Sequence, residues 1–350
     1  MEKGRTMTIW KRGLLSALSA GVMAASLSLT AMAQDAAVNP GPAAYEAALK
    51  GKRVVLVPMT MGFDLAQGWN HFIGEEVKAF GGVWETRDPN WSVDAGAQAI
   101  TDLISSAEKP DVLIVQTPDL NSYSRLFKRA QEAGIFVIQL DNPSNFQSDV
   151  FAGSDWSKLG EIEAEAAIKG CGAGSSKKIG VIQGDQVNAS SLDQWAGVQK
   201  VLAKNPDFKI VGQPDSNWDP TTARNVATTL LQQNPDVCAI VDFWDATAQG
   251  TAAAIRDAGL QGKVFLVTTG GGEEIDCKLI EDGTFGAIVT SELVRQSQDV
   301  VTAIKVLLQG NDKPGDKARY LYTQERARTK ADLKPGTCWS QKEIDAAAKL

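Results

Sequence analysis

Residues 112–141 read VLIVQTPDLNSYSRLFKRAQEAGIFVIQLD, and the pattern of this stretch decides the fold class. Val112–Gln116 and Phe136–Leu140 are short runs with apolar residues on both faces. A strand buried inside a parallel sheet, covered above and below, has that composition. Between them Tyr123–Ala133 has helical spacing and stops at Ala133-Gly134, where a glycine ends a helix without steric cost. Two parallel strands need a crossover between them, and a helix of this length supplies it.

The same unit recurs outward along the chain. Further apolar runs stand at Arg53–Pro58, Lys178–Gln183, Ala239–Asp242, Val264–Thr268 and Gly286–Thr290. Segments with helical spacing separate them, among them Trp69–Phe80, Ala95–Ala107, Lys158–Ile168, Ser191–Ala203, Thr221–Gln233 and Ala246–Ala258. Gly259 ends one of these, and Pro220 begins another directly after Asp219. The alternation predicts an α/β fold of doubly wound parallel sheets. The strands form one group before about residue 150 and another from about 178, and 350 residues suit two sheets with separate cores. Residues 34–50, with Pro40 and Pro42, read as a polar lead-in.

Sheets of this kind bind small molecules beyond the carboxyl ends of their strands. The segments following the apolar runs are therefore the informative ones: Met59–Asp64, Thr117–Asp119, Asp141–Asn145, Gly184–Ser190, Phe243–Asp245 and Thr269–Glu274. All are polar, aromatic or glycine-rich.

Composition narrows the function. Hydrophobic residues make up 43% of the chain and charged residues 22%, enough for sizeable cores. There are 35 Lys+Arg against 42 Asp+Glu. Residues 1–33 read as a targeting segment: Lys11-Arg12, then a small and apolar stretch over 13–30, then Ala31-Met32-Ala33 as a cleavage site. Cleavage is expected after Ala33, with export to the periplasm. Without that segment 31 basic residues face 41 acidic ones. So acidic a surface repels phosphate backbones and anionic lipid, which argues against nucleic-acid and membrane-surface partners, and no stretch after residue 33 reaches the ~18 apolar residues that direct membrane insertion needs. Cys171, Cys238, Cys277 and Cys338 follow, an even number that favours disulfides in an oxidising compartment. Four cysteines allow three pairings, and spacing alone does not choose.

Three segments carry a family resemblance. Residues 112–141 resemble the second strand, third helix and third strand of the ribose-type type I periplasmic binding proteins, the capture subunits of ABC importers. Residues 236–259, DVCAIVDFWDATAQGTAAAIRDAG, resemble that family's apolar strand, polar pair and helix ending in Ala-Gly. Residues 279–292, LIEDGTFGAIVTSE, resemble its helix, Asp-Gly turn and strand leading into a hinge. The resemblance runs from residue 53 to about 325. It implies two doubly wound parallel-sheet lobes joined by a three-strand hinge, with crossings near Ser154, Ser291 and Thr323. One lobe would hold 51–153 and 291–323, the other 154–290 and 324–340. Given those lobes, Cys171 is expected to pair with Cys238, both flanking strands of one lobe, and Cys277 with Cys338, tying down the tail.

The resemblance also implies ligand contacts. Asp141 matches the family's ligand-binding Asp after the third strand. Asn142 stands where many relatives carry Arg. Phe63 and Asp64 resemble the aromatic and polar segment after the first strand. In the second lobe Trp218 lies where relatives place an aromatic, and Trp244 replaces a hydrogen-bonding Asn ahead of the matching Asp245. Leu192 occupies the place of a common ligand-binding Arg, with Asn188 and Ser190 as substitutes nearby. The run Thr269–Glu274 lacks the family's Asp, for which Glu273 or Glu292 could compensate. Few cations and several rings suit a neutral sugar or polyol, because ring faces pack on C–H surfaces while carboxylates and amides meet hydroxyls.

Other chemistries find little material. His71 is the only histidine, which leaves nothing for a hydrolase triad or a His-based metal site. The run Gly172–Lys178 precedes a strand, so it lacks the helix N-terminus a phosphate loop needs. Trp84, Trp91 and Trp339 are left as packing or surface aromatics. The expectation is a monomeric solute-binding protein of an ABC importer, with a membrane permease as partner, no catalysis, no cofactor and no metal. A sensory binder serving a chemoreceptor or histidine kinase, and an exported carbohydrate-active enzyme, are the alternatives.

Overall fold

The structure is a computed structural model that describes residues 41–340 and 342. The expected leader and its cleavage site fall outside the described residues. The first described element is a helix, α1 (Gly41–Ala47), with Pro42 in its first turn, where the missing N–H costs nothing. This corrects the reading of 41–47 as lead-in. Its Tyr45 ring lies 4.6 Å from the ammonium of Lys305, a buried lysine.

The chain then builds β1 (Arg53–Val57), α2 (Asp64–Ala79), β2 (Val83–Thr86), α3 (Val93–Ser105), β3 (Val112–Val115), α4 (Ser124–Glu132), β4 (Phe136–Leu140) and β5 (Val150–Ser154). After α5 (Trp156–Cys171) come β6 (Lys178–Ile182), α6 (Ala189–Leu202), β7 (Lys209–Gly212), α7 (Pro220–Gln233), β8 (Ala239–Asp242), α8 (Asp245–Asp257), β9 (Phe265–Gly270), α9 (Glu274–Glu281) and β10 (Ala287–Thr290). α10 (Leu293–Gln309), β11 (Arg319–Thr323), β12 (Arg326–Arg328) and a short 3-10 turn (Lys330–Asp332) complete the described order.

Two six-stranded sheets result, in the orders β11-β5-β4-β3-β1-β2 and β12-β10-β9-β8-β6-β7. Every pairing is parallel except β10 with β12. The chain passes between the sheets three times: after Ser154, after Thr290, and between Thr323 and Arg326. Each sheet is covered on both faces. One side of the first packs Trp69, Ile73 and Val77 of α2 against Val300 and Ile304 of α10, and the other packs Ile100 of α3 against Phe127 of α4. The second sheet has its own pair of cores, built on Leu230 and Ile255 on one side and on Leu159 and Val198 on the other.

Helix starts are set locally. Asp155 and Asp219 accept from the backbone N–H of Lys158 and Thr222, satisfying donors that the first turn leaves free. The cysteines pair as Cys171–Cys238 and Cys277–Cys338. Among the described residues, no helix is long and apolar enough to cross a membrane.

Candidate functional site

The carboxyl ends of the two sheets enclose a cavity of about 470 Å³. Phe63, Asp64, Asp141 and Asn142 reach it from the first lobe, and Asn188, Trp218, Trp244, Asp245 and Glu273 from the second. Glu292 is not among its lining residues. It sits at the hinge in a left-handed conformation, φ 50°, where its carboxylate accepts from Thr290 at 2.7 Å and pairs with Arg328. Those partners hold it away from this cavity, so its expected role as a contact is withdrawn.

Aromatic rings form one wall. Trp91, read from the sequence as a packing or surface aromatic, lines the cavity and stacks on Phe63 with centroids 5.9 Å apart. Both rings meet Trp244 of the other lobe edge-on, at 5.8 Å from Phe63 and 6.5 Å from Trp91. Trp218 meets Trp244 at 6.3 Å. The lobes thus touch through aromatic edges, an arrangement favoured by the ring quadrupole. A polar contact joins them too, since Asn188 Nδ2 donates to the Pro118 carbonyl at 3.1 Å. Trp91 is not assigned to the site from sequence because its loop follows β2, a strand too polar to mark the sequence.

Trp218 is fixed from behind. Its Nε1 donates to Asp185 Oδ2 at 2.6 Å, and Asp185 also accepts from the backbone N–H groups of Val187 and Asn188. Gly184 makes the seat possible, since a Cβ there would lie 2.0 Å from the indole ring. Gly184→Ala is therefore expected to push Trp218 out of place. Its fluorescence should shift towards that of a solvated indole, and solute affinity should drop at least tenfold, checked by emission spectra and calorimetric titration.

Asp141 stands opposite, at the end of β4, 3% exposed and with φ 67°. Aspartate tolerates this left-handed conformation better than most side chains. Its backbone carbonyl accepts from Trp156 Nε1 at 2.8 Å, and its Oδ2 accepts from Gln116 Nε2 at 3.4 Å. Oδ1 is buried with no hydrogen-bond partner among the described residues. Burial pushes the carboxyl up to about 7, against smaller lowering contributions from Gln116 and Gln296. Asn142 is committed differently: its Nδ2 donates to the Thr117 carbonyl at 3.0 Å, and Thr117 Oγ1 returns a bond to its carbonyl at 2.8 Å. That reciprocal pair holds the loop after β4 against the loop after β3.

Two further buried acids lie behind the cavity. Asp242 accepts from Thr247 and Thr251, and burial pushes it up to about 7. Glu163 accepts from Gln194 at 2.7 Å and from Thr269 at 2.6 Å, and burial pushes it up to about 8. The unfolded chain releases such protons near pH 4, whereas the folded chain keeps them to pH 7–8. Between those limits the native state binds more protons, so stability falls as pH rises. Calorimetric melts from pH 5 to pH 8 should show Tm declining, and Glu163→Gln should flatten the decline.

The sequence profile described as the periplasmic binding protein domain matches residues 54–312. The chain belongs to this family. Over 169 residues this periplasmic binding protein is 31% identical to the D-allose-binding periplasmic protein of Escherichia coli, covering 46% of this chain and 54% of that one. It is 27% identical over 205 residues to the D-ribose/D-allose-binding protein of Pseudomonas aeruginosa, covering 56% and 63%. The match thus spans between half and two thirds of the length of these curated relatives. An ABC transporter solute-binding protein of Mycobacterium smegmatis, solved with bound glycerol, has the same fold. It superposes with a TM-score of 0.74 over 83% of this chain and 98% of that chain, at 20% identity.

Proposed function

We propose that this periplasmic binding protein captures a sugar or polyol between its two lobes, as the solute-binding protein of an ABC importer. One observation carries the reading: rings and carboxylates of both sheets converge on one cavity of about 470 Å³. Contacts drawn from both lobes exist together only when the lobes are closed, so binding free energy goes into closure. The flat faces of Phe63, Trp91, Trp218 and Trp244 suit the C–H surfaces of a pyranose or an extended alditol, and the acids of both lobes suit its hydroxyls. The relatives named for D-allose and D-ribose support the same class of solute. The reading places the chain in the periplasm, with the closed surface docking on a membrane permease and the solute released unaltered.

A thermal-shift screen of pentoses, hexoses and alditols, together with their amino derivatives, tests this. A solute that binds only the folded protein raises Tm with concentration. A concentration-dependent rise for at least one such compound is expected. No rise with any polyhydroxylated compound, beside a rise with amino acids or carboxylate anions, would remove the substrate class. Conversion of a panel sugar to product would remove the transport role.

A further inference from the structure

The cavity is unbalanced in charge. Asp64, Asp141, Asp219, Asp245 and Glu273 line it, and no Lys, Arg or His stands among the described lining residues. Asp276 lies directly behind. Asp245, Glu273 and Asp276 each bring a carboxylate oxygen within 4.8 Å of the other two. The glycine run after β9 is what lets them gather. A Cβ on Gly270 would lie 2.1 Å from Asp245 Oδ2 and 2.9 Å from Asp276 Oδ2, and one on Gly271 would lie 2.5 Å from Glu273 Oε1. Gly270 and Gly271 thus leave room for three acids.

These acids are only partly satisfied: the Glu273 side chain accepts from the Asp276 N–H, and Asp276 Oδ2 accepts from the Glu273 N–H at 3.2 Å, a reciprocal cap on α9. Glu273 is 5% exposed and Asp276 1% exposed, and Glu273 Oε2 and Asp276 Oδ1 have no hydrogen-bond partner among the described residues. Asp141 Oδ1, on the opposite lobe, is in the same condition. Buried like charges are costly unless a counter-charge or a proton intervenes. Burial first, and then neighbouring carboxylates, holds Asp245 and Asp276 well above the usual carboxylate range and raises Glu273 as well. A neutral hydroxyl can accept or donate but brings no counter-charge that would let these carboxyls ionise. A protonated primary amine brings one positive charge and three N–H donors, and it is attracted to aromatic rings such as those lining the same cavity.

We propose that the captured solute is a polyhydroxylated molecule bearing a protonated primary amine, an amino sugar or amino alditol, whose ammonium group seats on Asp245 and Glu273 with Asp276 backing both. This rests on the reading that the cavity takes a sugar or polyol. It departs from the neutral solute expected from residue types alone, which do not show how closely the acids pack. A metal ion fits less well. Calcium asks for six to eight oxygens. The carbonyls of the glycine run beside the trio each already accept a hydrogen bond: Gly270 accepts from the Ser291 N–H at 3.0 Å, Gly271 from Trp339 Nε1 at 3.1 Å, and Gly272 from the Trp339 N–H at 3.0 Å.

Titration calorimetry on the purified full chain with matched pairs tests the idea. D-glucosamine against D-glucose, D-galactosamine against D-galactose, D-mannosamine against D-mannose, and 1-amino-1-deoxysorbitol against sorbitol would serve. At least one amine should bind ten or more times tighter than its parent, and its N-acetyl form, which has lost the charge, should lose that advantage. Asp245→Asn and Glu273→Gln should each weaken the amine at least ten times more than they weaken its parent. Both replace a carboxyl by an amide of the same shape, and a retained melting transition would verify that they fold. Parents binding as well as or better than their amines would overturn the inference and leave sugar capture standing. A rise in Tm with calcium chloride alone would also overturn it. Silence from both members of every pair would instead count against sugar capture itself, and the inference would fall with it.

Discussion

Asp141→Asn is expected to weaken solute binding roughly 10- to 150-fold, the equivalent of losing a hydrogen bond to a charged group, about 1.5–3 kcal/mol. The same substitution should raise the stability of the solute-free protein at pH 8. The opposite signs follow from one fact. Asp141 is buried, its Oδ1 has no hydrogen-bond partner among the described residues, and its carboxyl is pushed up to about 7. Above that pH the folded protein must hold an ionised carboxylate that the unfolded chain would solvate, so the charge opposes folding. Near pH 5 the carboxyl is protonated in the folded state, and most of the stabilisation by Asn should vanish. Asparagine also tolerates the positive φ of 67° at this position, whereas alanine would add backbone strain and confuse the comparison. Calorimetric titration and thermal melts at pH 5 and pH 8 read both quantities. Unchanged affinity would remove Asp141 from the site, and a lower Tm at pH 8 would show that its carboxylate supports the fold.

The interior of each sheet was legible because burial on both faces leaves an unbroken apolar run. β1, β3, β4, β6, β8, β9 and β10 all announce themselves in this way. The edge strands do not. β2 and β7 are mostly half-exposed, and β11 alternates between half-exposed and exposed positions until Thr323, which is buried, so their residues are chosen for water as much as for the core. β5 is fully buried but reads VFAGS, and its small residues carry little hydrophobic signal. The site was legible to a similar depth. Asp141, Trp218 and Asp245 follow visible strands or precede a visible helix start, so strand-end reasoning reaches them. Trp91 follows an invisible strand and is missed. Glu292 was proposed from its place in the chain, but a left-handed backbone and the Arg328 pairing turn it elsewhere, and neither can be read without coordinates. The crowding of Asp245, Glu273 and Asp276 is likewise a property of the packed loop, although the glycines that permit it stand openly in the sequence.

Removing the Cys277–Cys338 disulfide is expected to affect both stability and lobe closure, whereas removing Cys171–Cys238 should affect stability alone. The two bonds close loops with sequence separations of 61 and 67 residues, so chain entropy predicts similar costs, about 4 kcal/mol each. Their surroundings differ. Cys171 and Cys238 both belong to the second lobe, at the end of α5 and the start of β8. Cys338 instead fixes the residue before Trp339, whose N–H and Nε1 donate to the carbonyls of Gly272 and Gly271 in the second lobe. The Trp339 ring crosses over to the first lobe. It packs against that lobe's core, meets Phe72 of α2 edge-on at 5.9 Å, and lies so close to Gly68 that a Cβ there would be 3.1 Å from its Cη2. The tail therefore spans the lobes, and opening must either withdraw this ring or carry the tail along. A Cys277→Ser/Cys338→Ser double variant should melt lower, show a larger radius of gyration by small-angle scattering without solute, and bind solute more weakly. Trp339→Ala should reproduce the scattering and binding changes at a smaller stability cost, because the disulfide remains. The Cys171→Ser/Cys238→Ser variant is the control: it should melt lower by a similar amount with scattering and affinity unchanged. If both disulfide variants scatter alike, the tail does not couple the lobes, and Trp339 is only a packing residue at the edge of α2.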